Sequence, residues 1–494
     1  MDRRPRRSGR PRATRRTGGG GMSRDAREYR RNLAAQALGR FLYVAGGAGI
    51  LIAASHVMSL ADVGTYALGV GFLAIVWSFA DLGTTAALGT LLTATPAAEQ
   101  GNMLGSFVAL RLAISLVAGL VGAGATYLFL PPSLWTVMTL ACLLTPLLGA
   151  RFFEPVFQVG GQPQYSRLAG YLYVAVLVST AAPVLWLAPG RPDLLIGAHM
   201  LAGLAYAGLG LALCWRLMGV GFGRVAEHAL PILRIAGPLG LSGLLAMLNL
   251  RLAIAVLQWL RGPEDLAIFF AAQRFLELGA ALVATAITPM FVIFTRLQQD
   301  GAVTGAAQRA LALALAFGLP VVLAAPLLSG PVVGLIYGPA FAASAPVAAI
   351  LSMQLALTAI GMALLPVIVA IGRQGMLIPA AAAALAVNLV LCPLLVSRLG
   401  PQGAAWSAVA AEAVIAGVPL IVVRARVEGL LARRLILWVL FAGAAMTVTM
   451  LALRPLSETL GGVAGLAVYA LIILFSGLLR AGEVRNPLQP LQAR

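Results

Sequence analysis

Apolar residues run in long unbroken stretches along almost the whole chain, separated by short polar connections. A helix needs about 20 apolar residues to cross the hydrocarbon core of a bilayer. The stretches predict spans near 34–57, 63–87, 104–126, 134–155, 167–188, 194–217, 232–259, 264–295, 307–329, 341–371, 376–397, 402–423, 434–453 and 460–480. A transmembrane β-barrel would alternate apolar and polar residues over short segments. These runs are continuous, so the expectation is an all-α, polytopic membrane protein of about fourteen transmembrane helices.

A weak internal repeat organises the spans. "LADVGTYALGVGFL" (60–73) enters the second span and "PEDLAIFFAAQRFL" (263–276) the eighth, with Asp62, Tyr66 and Phe72 opposite Asp265, Phe269 and Phe275. "VGGQPQ" (159–164) and "AIGRQG" (370–375) join equivalent spans, at an offset of 211 residues against 203 for the first pair. Copies that start on the same side of the membrane are parallel repeats about an axis along its normal. This predicts an N-lobe over 32–217, a linker over 218–230 and a C-lobe over 231–423, each lobe six helices around a central cavity. Residues 424–481 add two helices, and 482–494 form a C-terminal tail. Residues 1–31 are Arg/Gly-rich without apolar periodicity and are expected to be a disordered cytoplasmic tail.

Composition agrees with the pattern. The chain has 494 residues, 60% hydrophobic and 11% charged, against about 25% charged in soluble proteins. Its mean hydropathy is +0.92. A net charge of +18 would suggest nucleic acid in a soluble protein, but here every basic residue is Arg and twelve of the 35 lie in residues 1–31. With a cytoplasmic N-terminus, the inner loops and C-terminal tail hold fifteen Arg and the outer loops four: Arg191, Arg261, Arg398 and Arg454. The positive-inside rule accounts for the charge, places both termini in the cytoplasm and leaves nucleic acid out of the expected partners.

Cys142, Cys214 and Cys392 form no CxxC and read as small buried side chains; His56, His199 and His228 are scattered without ligand spacing. No metal or cofactor is expected. Candidate chemistry lies in ionisable residues inside the spans. Arg at mid-membrane costs about 2.5–3.5 kcal/mol and usually faces a bundle interior or a watery cavity. Four Arg remain after the loops are assigned: Arg40, Arg111, Arg251 and Arg274. The embedded acids are Asp81, Glu277 and Glu412, with Asn249, Gln273 and Asn388 as polar neighbours. Arg274 and Glu277 stand one helical turn apart and can pair. Arg40 and Arg111 can snorkel to an interface, whereas Arg251 has no acid within its own span. A set that leans cationic favours an anionic substrate, and guanidinium forks suit phosphate oxygens.

"LGRFLYVAGGAGILIAASHVMSLADVGTYAL", "FADLGTTAAL", "RIAGPLGLSGLLAMLNLRLAIAVLQWLRGPEDLAIFFAAQRFLELGAAL", "LIYGPAFAASAPVAAILSMQLAL", "AIGRQG" and "LGPQGAAWSAVAAE" follow one another from about residue 34 to 423. In this order the chain resembles the polysaccharide flippases (Wzx-like O-antigen and exopolysaccharide exporters) of the multidrug/oligosaccharidyl-lipid/polysaccharide superfamily. The resemblance implies a multi-pass protein of the bacterial cytoplasmic (inner) membrane. Such a protein moves a polyprenyl-pyrophosphate-linked oligosaccharide to the outer leaflet by alternating access, working beside polysaccharide polymerase and chain-length proteins. It implies that Arg251 and Arg274 hold the pyrophosphate head group, and the pattern of buried charge adds Arg40, Arg111, Asn249 and Gln273 as cavity candidates. Glu277, Asp81 and Glu412 are then ion-coupling or pairing groups. Leu250 stands where similar proteins often carry an acid before the Arg, which puts ion coupling at that position in doubt.

Two relatives in the superfamily are alternatives. Drug or cation antiporters usually carry a carboxylate in the first or seventh helix, and spans one and seven contain none. A peptidoglycan lipid II flippase typically has an Arg-Asp pair in its first helix, whereas Phe41 follows Arg40. A membrane-embedded glycan polymerase or ligase is a third reading. It needs a sizeable outer loop with catalytic residues, and the sequence shows no such set.

Overall fold

A computed structural model describes residues 45–148, 153–162, 164–223, 225–297, 303–427, 430 and 433–476. Arg40 and both predicted terminal tails lie outside them. The described residues form helices joined by short turns, with no strand among them. The first helices are α1 (Ala45–Val57), α2 (Leu60–Asp81), α3 (Thr84–Ala94) and α4 (Gln100–Phe129). Three short helices follow, α5 (Trp135–Leu143), α6 (Thr145–Leu148) and α7 (Phe153–Val159), then the longer α8 (Gln164–Leu187) and α9 (Pro192–Met218). The second half holds α10 (Val225–Leu260), α11 (Pro263–Leu297), α12 (Val303–Tyr337), α13 (Ser344–Ala370), α14 (Leu377–Leu399) and α15 (Pro401–Arg426). Two final helices are α16 (Arg433–Leu453) and α17 (Glu458–Phe475). Among the described residues twelve helices are long and apolar enough to cross a membrane, thirteen if one bent pair counts as a span, and α1 is a shorter apolar helix. Large side chains such as Trp186 and Leu335 are more than four-fifths exposed. A hydrocarbon solvent suits that surface, and water does not.

Two predicted spans are broken. The second breaks between α2 and α3, where Leu82 (φ 41°) and Gly83 (φ 72°) both take left-handed backbone. The Asp81 carboxylate accepts from Gly83 N–H at 3.1 Å, and Thr84 Oγ1 donates to Asp81 O at 2.6 Å, so the exposed helix ends are capped locally. The fourth breaks at Leu144, just before Pro146, which has no N–H to continue α5.

The repeat is visible in backbone geometry. α2 and α11 start 203 residues apart. Single 3₁₀ turns, Pro132–Leu134 before α5 and Pro339–Phe341 before α13, are 207 apart. Gly161 and Gly372 share φ +68°, and the following N–H reaches back five residues in both: Gln162 to Phe157 O at 2.8 Å, Arg373 to Ile368 O at 3.0 Å. These two glycines are 211 apart, the same offset as the loop segments that carry them.

The largest core cluster joins the halves, running from Leu51 and Tyr66 through Leu195 and Leu257 to Phe270, Tyr337 and Leu351. α2 packs on α11, and α10 packs on α2, α3 and α4 as well as on α14. The α2–α11 approach is close enough to require glycine: a Cβ on Gly64 would stand 1.8 Å from Pro263 O. α16 and α17 pair with each other and dock on α12 through Met446, Met450 and Tyr469.

Candidate functional site

Arg251 lies on α10, and Arg274 and Glu277 on α11, the two helices that join at Gly262. The chain reverses there, so residues in the middle of each helix come side by side. Glu277 Oε2 accepts from Arg274 Nη1, its neighbour one turn away on the same helix. Its other oxygen, Oε1, stands 3.5 Å from Arg251 Nη1. Exposure is 11% for Arg251, 12% for Arg274 and 19% for Glu277. One carboxylate is therefore shared by two guanidinium groups, and the cluster carries a net positive charge.

The cluster is incompletely satisfied. Arg251 Nε and Nη1, Arg274 Nε and Glu277 Oε1 are buried without a hydrogen-bond partner. Buried polar atoms are nearly always paired, and each exception costs about 1–3 kcal/mol. The Phe270 ring supports Arg274 from one side, its centroid 4.3 Å from Cζ. Polar neighbours frame the pair. Gln273 Nε2 reaches Leu250 O at 3.5 Å and leaves Oε1 unpartnered. Asn388 Nδ2, from α14, donates to Asn249 O at 3.0 Å and Oδ1 at 2.8 Å. Arg251, Arg274 and Glu277 thus meet where the middles of α10 and α11 face each other, with Gln273 bonded to the α10 backbone at Leu250 and Asn249 bonded to α14.

Other candidates fall elsewhere. Arg111 on α4 is 5% exposed, pairs with Asp81 and donates to Thr84 Oγ1 at 2.7 Å. It neither snorkels outward nor joins Arg251, because the α2–α3 break turns the Asp81 carboxylate and the Thr84 hydroxyl toward it. Glu412 on α15 is bonded by Thr358 and Gln354 of α13.

A cavity of about 850 Å³ opens beside Arg251, between α2, α4 and α10. The sequence suggests a central cavity lined by charge. This one is lateral and apolar, with Arg251 the one charged residue among those lining it. Sequence reasoning also missed a half-buried set of hydrogen-bonded rings in the first half. His199 on α9 is hydrogen-bonded through one ring nitrogen to Tyr66 OH of α2 and through the other to Tyr173 OH of α8. Those residues lie 26 and 133 positions from His199, and spacing along one helix gives no sign of such a contact. Among the described residues no group of three His, Cys, Asp or Glu is placed to hold a metal ion.

The model of a family described as "Polysaccharide biosynthesis protein" matches residues 55–346. No curated protein matches the chain in sequence. In structure the chain is similar to the lipid II flippase MurJ in its inward closed conformation, with TM-score 0.72 and 15% identity, over 90% of this chain and 99% of that one. It is similar to an inward-facing multidrug resistance MATE family transporter of the MOP superfamily, with TM-score 0.63 and 17% identity, over 81% and 96%. A MOP superfamily transporter from Pyrococcus furiosus, whose binding pocket is described as of reverse polarity, aligns with TM-score 0.57 and 17% identity, over 81% and 96%. At these identities the likeness shows a common fold, that of the superfamily expected from the sequence.

Proposed function

This chain belongs to the polysaccharide biosynthesis protein family, and on that premise we propose that it is a flippase for a polyprenyl-pyrophosphate-linked oligosaccharide in a bacterial cytoplasmic membrane. It makes and breaks no covalent bond. Six-helix lobes over 32–217 and 231–423 tilt about the contact between α2, α10 and α11, and the head group passes from the inner leaflet to the outer. Both termini face the cytoplasm, and polysaccharide polymerase and chain-length proteins are the expected partners.

The observation that carries the reading is the pair of guanidinium groups, one on α10 and one on α11, that share one carboxylate. Two cations and one anion attract a dianionic head group from a low-dielectric site, where the field of each charge is weakly screened. Unpartnered N–H groups on Arg251 and Arg274 are donors for pyrophosphate oxygens. Glu277 neutralises part of the charge when no substrate is present and is displaced as the phosphates bind. Flipping of an undecaprenyl-pyrophosphate oligosaccharide by the purified chain in vesicles tests the proposal. Arg251→Ala and Arg274→Ala should each lose most transport while the protein remains inserted. Wild-type rates in both variants would discard the reading.

A further inference from the structure

We propose that His199 is a proton site linked to the anion site: its ring is neutral while Arg251 and Arg274 are empty and takes up a proton as the pyrophosphate binds. The inference rests on the flippase reading above and adds to it a group in the first half of the chain. The partners of the ring carry it. The Tyr66 hydroxyl of α2 is bonded to Nε2, and the Tyr173 hydroxyl of α8 meets Nδ1 at 3.0 Å. A neutral imidazole donates from one nitrogen and accepts at the other, whereas an imidazolium donates from both. A phenol hydroxyl takes either role. A carboxylate in its place would hold the ring as a cation, and a backbone carbonyl would hold it to one tautomer. Two hydroxyls keep both ring nitrogens bonded in either charge state, with one O–H turning as the proton arrives. The surrounding field then decides the charge.

Tyr66 is 1% and Tyr173 4% exposed, while His199 is half-buried. Leu195, Ile196, Ala202 and Gly203, one turn to either side of it, are all buried, so the ring stands on the inward face of α9 and not on the lipid flank. An imidazole titrates in the physiological range. Its field is set at α11, because α2 packs there and the Arg274 charge acts on the Tyr66 phenol. Charges on the other helices against α9 are paired, distant or turned outward. Arg111 of α4 pairs with Asp81, Asp62 of α2 is held by Ser59, and Arg167 is more than a turn from Tyr173 along α8. Glu154 of α7 is exposed; α5 offers the Cys142 thiol and α6 no titratable group. The empty cluster holds two cations and one anion, and a further positive charge behind Tyr66 is opposed. A dianionic head group reverses the sign of the cluster, and the same field then favours the imidazolium. Linkage is reciprocal, so a proton on His199 tightens the hold on the substrate by the same factor.

The test uses the full chain in detergent and an undecaprenyl sugar pyrophosphate. Calorimetric titration near neutral pH, in buffers of different ionisation enthalpy, counts the protons taken up on binding. The wild type should take up more than His199→Gln, by as much as one proton, since Gln offers the phenols a donor and an acceptor without a charge. Protons exchanged by the phosphates are common to both and cancel. From about pH 8 to about pH 6 the dissociation constant should fall roughly five-fold further in the wild type than in His199→Gln. The chain has three histidines, so His56→Gln with His228→Gln leaves His199 as the one imidazole. In that double variant the ring carbon resonance of labelled His199 should move toward the imidazolium position when the lipid is added at constant pH, a readout that does not depend on His199→Gln folding. Equal proton counts in the wild type and His199→Gln, or an unmoved resonance, overturns the proposal. Those results, with binding lost in Arg251→Ala, remove His199 and leave the flippase standing. Wild-type binding by Arg251→Ala removes the flippase reading itself.

Discussion

Arg111 and Arg251 are both buried membrane arginines, yet their surroundings differ. Around Arg111 there is one cation, one carboxylate and the Thr84 hydroxyl, and the group stitches α4 to the break between α2 and α3. Around Arg251 there are two cations for one carboxylate and several unpartnered atoms, beside an open groove. Matched charges with filled hydrogen bonds hold a fold. A surplus of one sign with vacant donors is tolerated where something else supplies the missing charge.

The contrast makes opposite demands on stability and transport. Asp81→Ala leaves the Arg111 guanidinium without its counter-charge, so about 3–5 kcal/mol of stability should be lost, read as a lowered thermal midpoint in detergent. Asp81→Ala with Arg111→Leu should recover much of it. A fully stable Asp81→Ala protein would erase the distinction between the clusters. Arg251→Ala leaves Arg274 and Glu277 as a matched pair, and Arg274→Ala leaves Glu277 beside Arg251. Either should unfold like the wild type while substrate binding weakens by roughly 100-fold, the scale of a lost buried charge contact. Glu277→Gln raises the surplus from one cation to two. Binding of sugar pyrophosphate should tighten by roughly ten-fold and turnover should slow, because release now opposes a larger charge; weaker binding would show that Glu277 does not compete with the ligand.

Smaller effects sharpen the picture. Gly64→Ala places a methyl on Pro263 O and must part α2 from α11. A cost of about 1–3 kcal/mol is expected, and a shift in protease access between the two leaflet faces would show which end the contact closes. Least affected should be Arg261→Ala. Its pair with Asp265, at 3.1 Å, is half in solvent, and such pairs contribute less than about 1 kcal/mol. A large loss there would mean that net charge alone governs this protein.

Several of these features are legible along one helix. The Arg274–Glu277 pair is, because one turn of helix puts the two on one face. The spans follow from unbroken apolar runs, and the repeat survives in turn residues such as Gly161 and Gly372. The break at Leu82 is less legible: it carries no proline, and Leu82 itself is a non-glycine residue in left-handed backbone. It depends on Asp81 and Thr84 capping an interruption of the helix that Arg111, 30 residues from Asp81, completes.

Apolar run length and local turn chemistry act over a few residues, so the membrane spans, their repeat and the cations within them can be read along the chain. Which of those cations hold the fold together depends on contacts between helices. Arg111 meets Asp81, Arg251 meets Glu277 and Tyr66 meets His199 across helices. Coulomb attraction and hydrogen bonding act over ångströms in space, and distance along a chain carries no record of them.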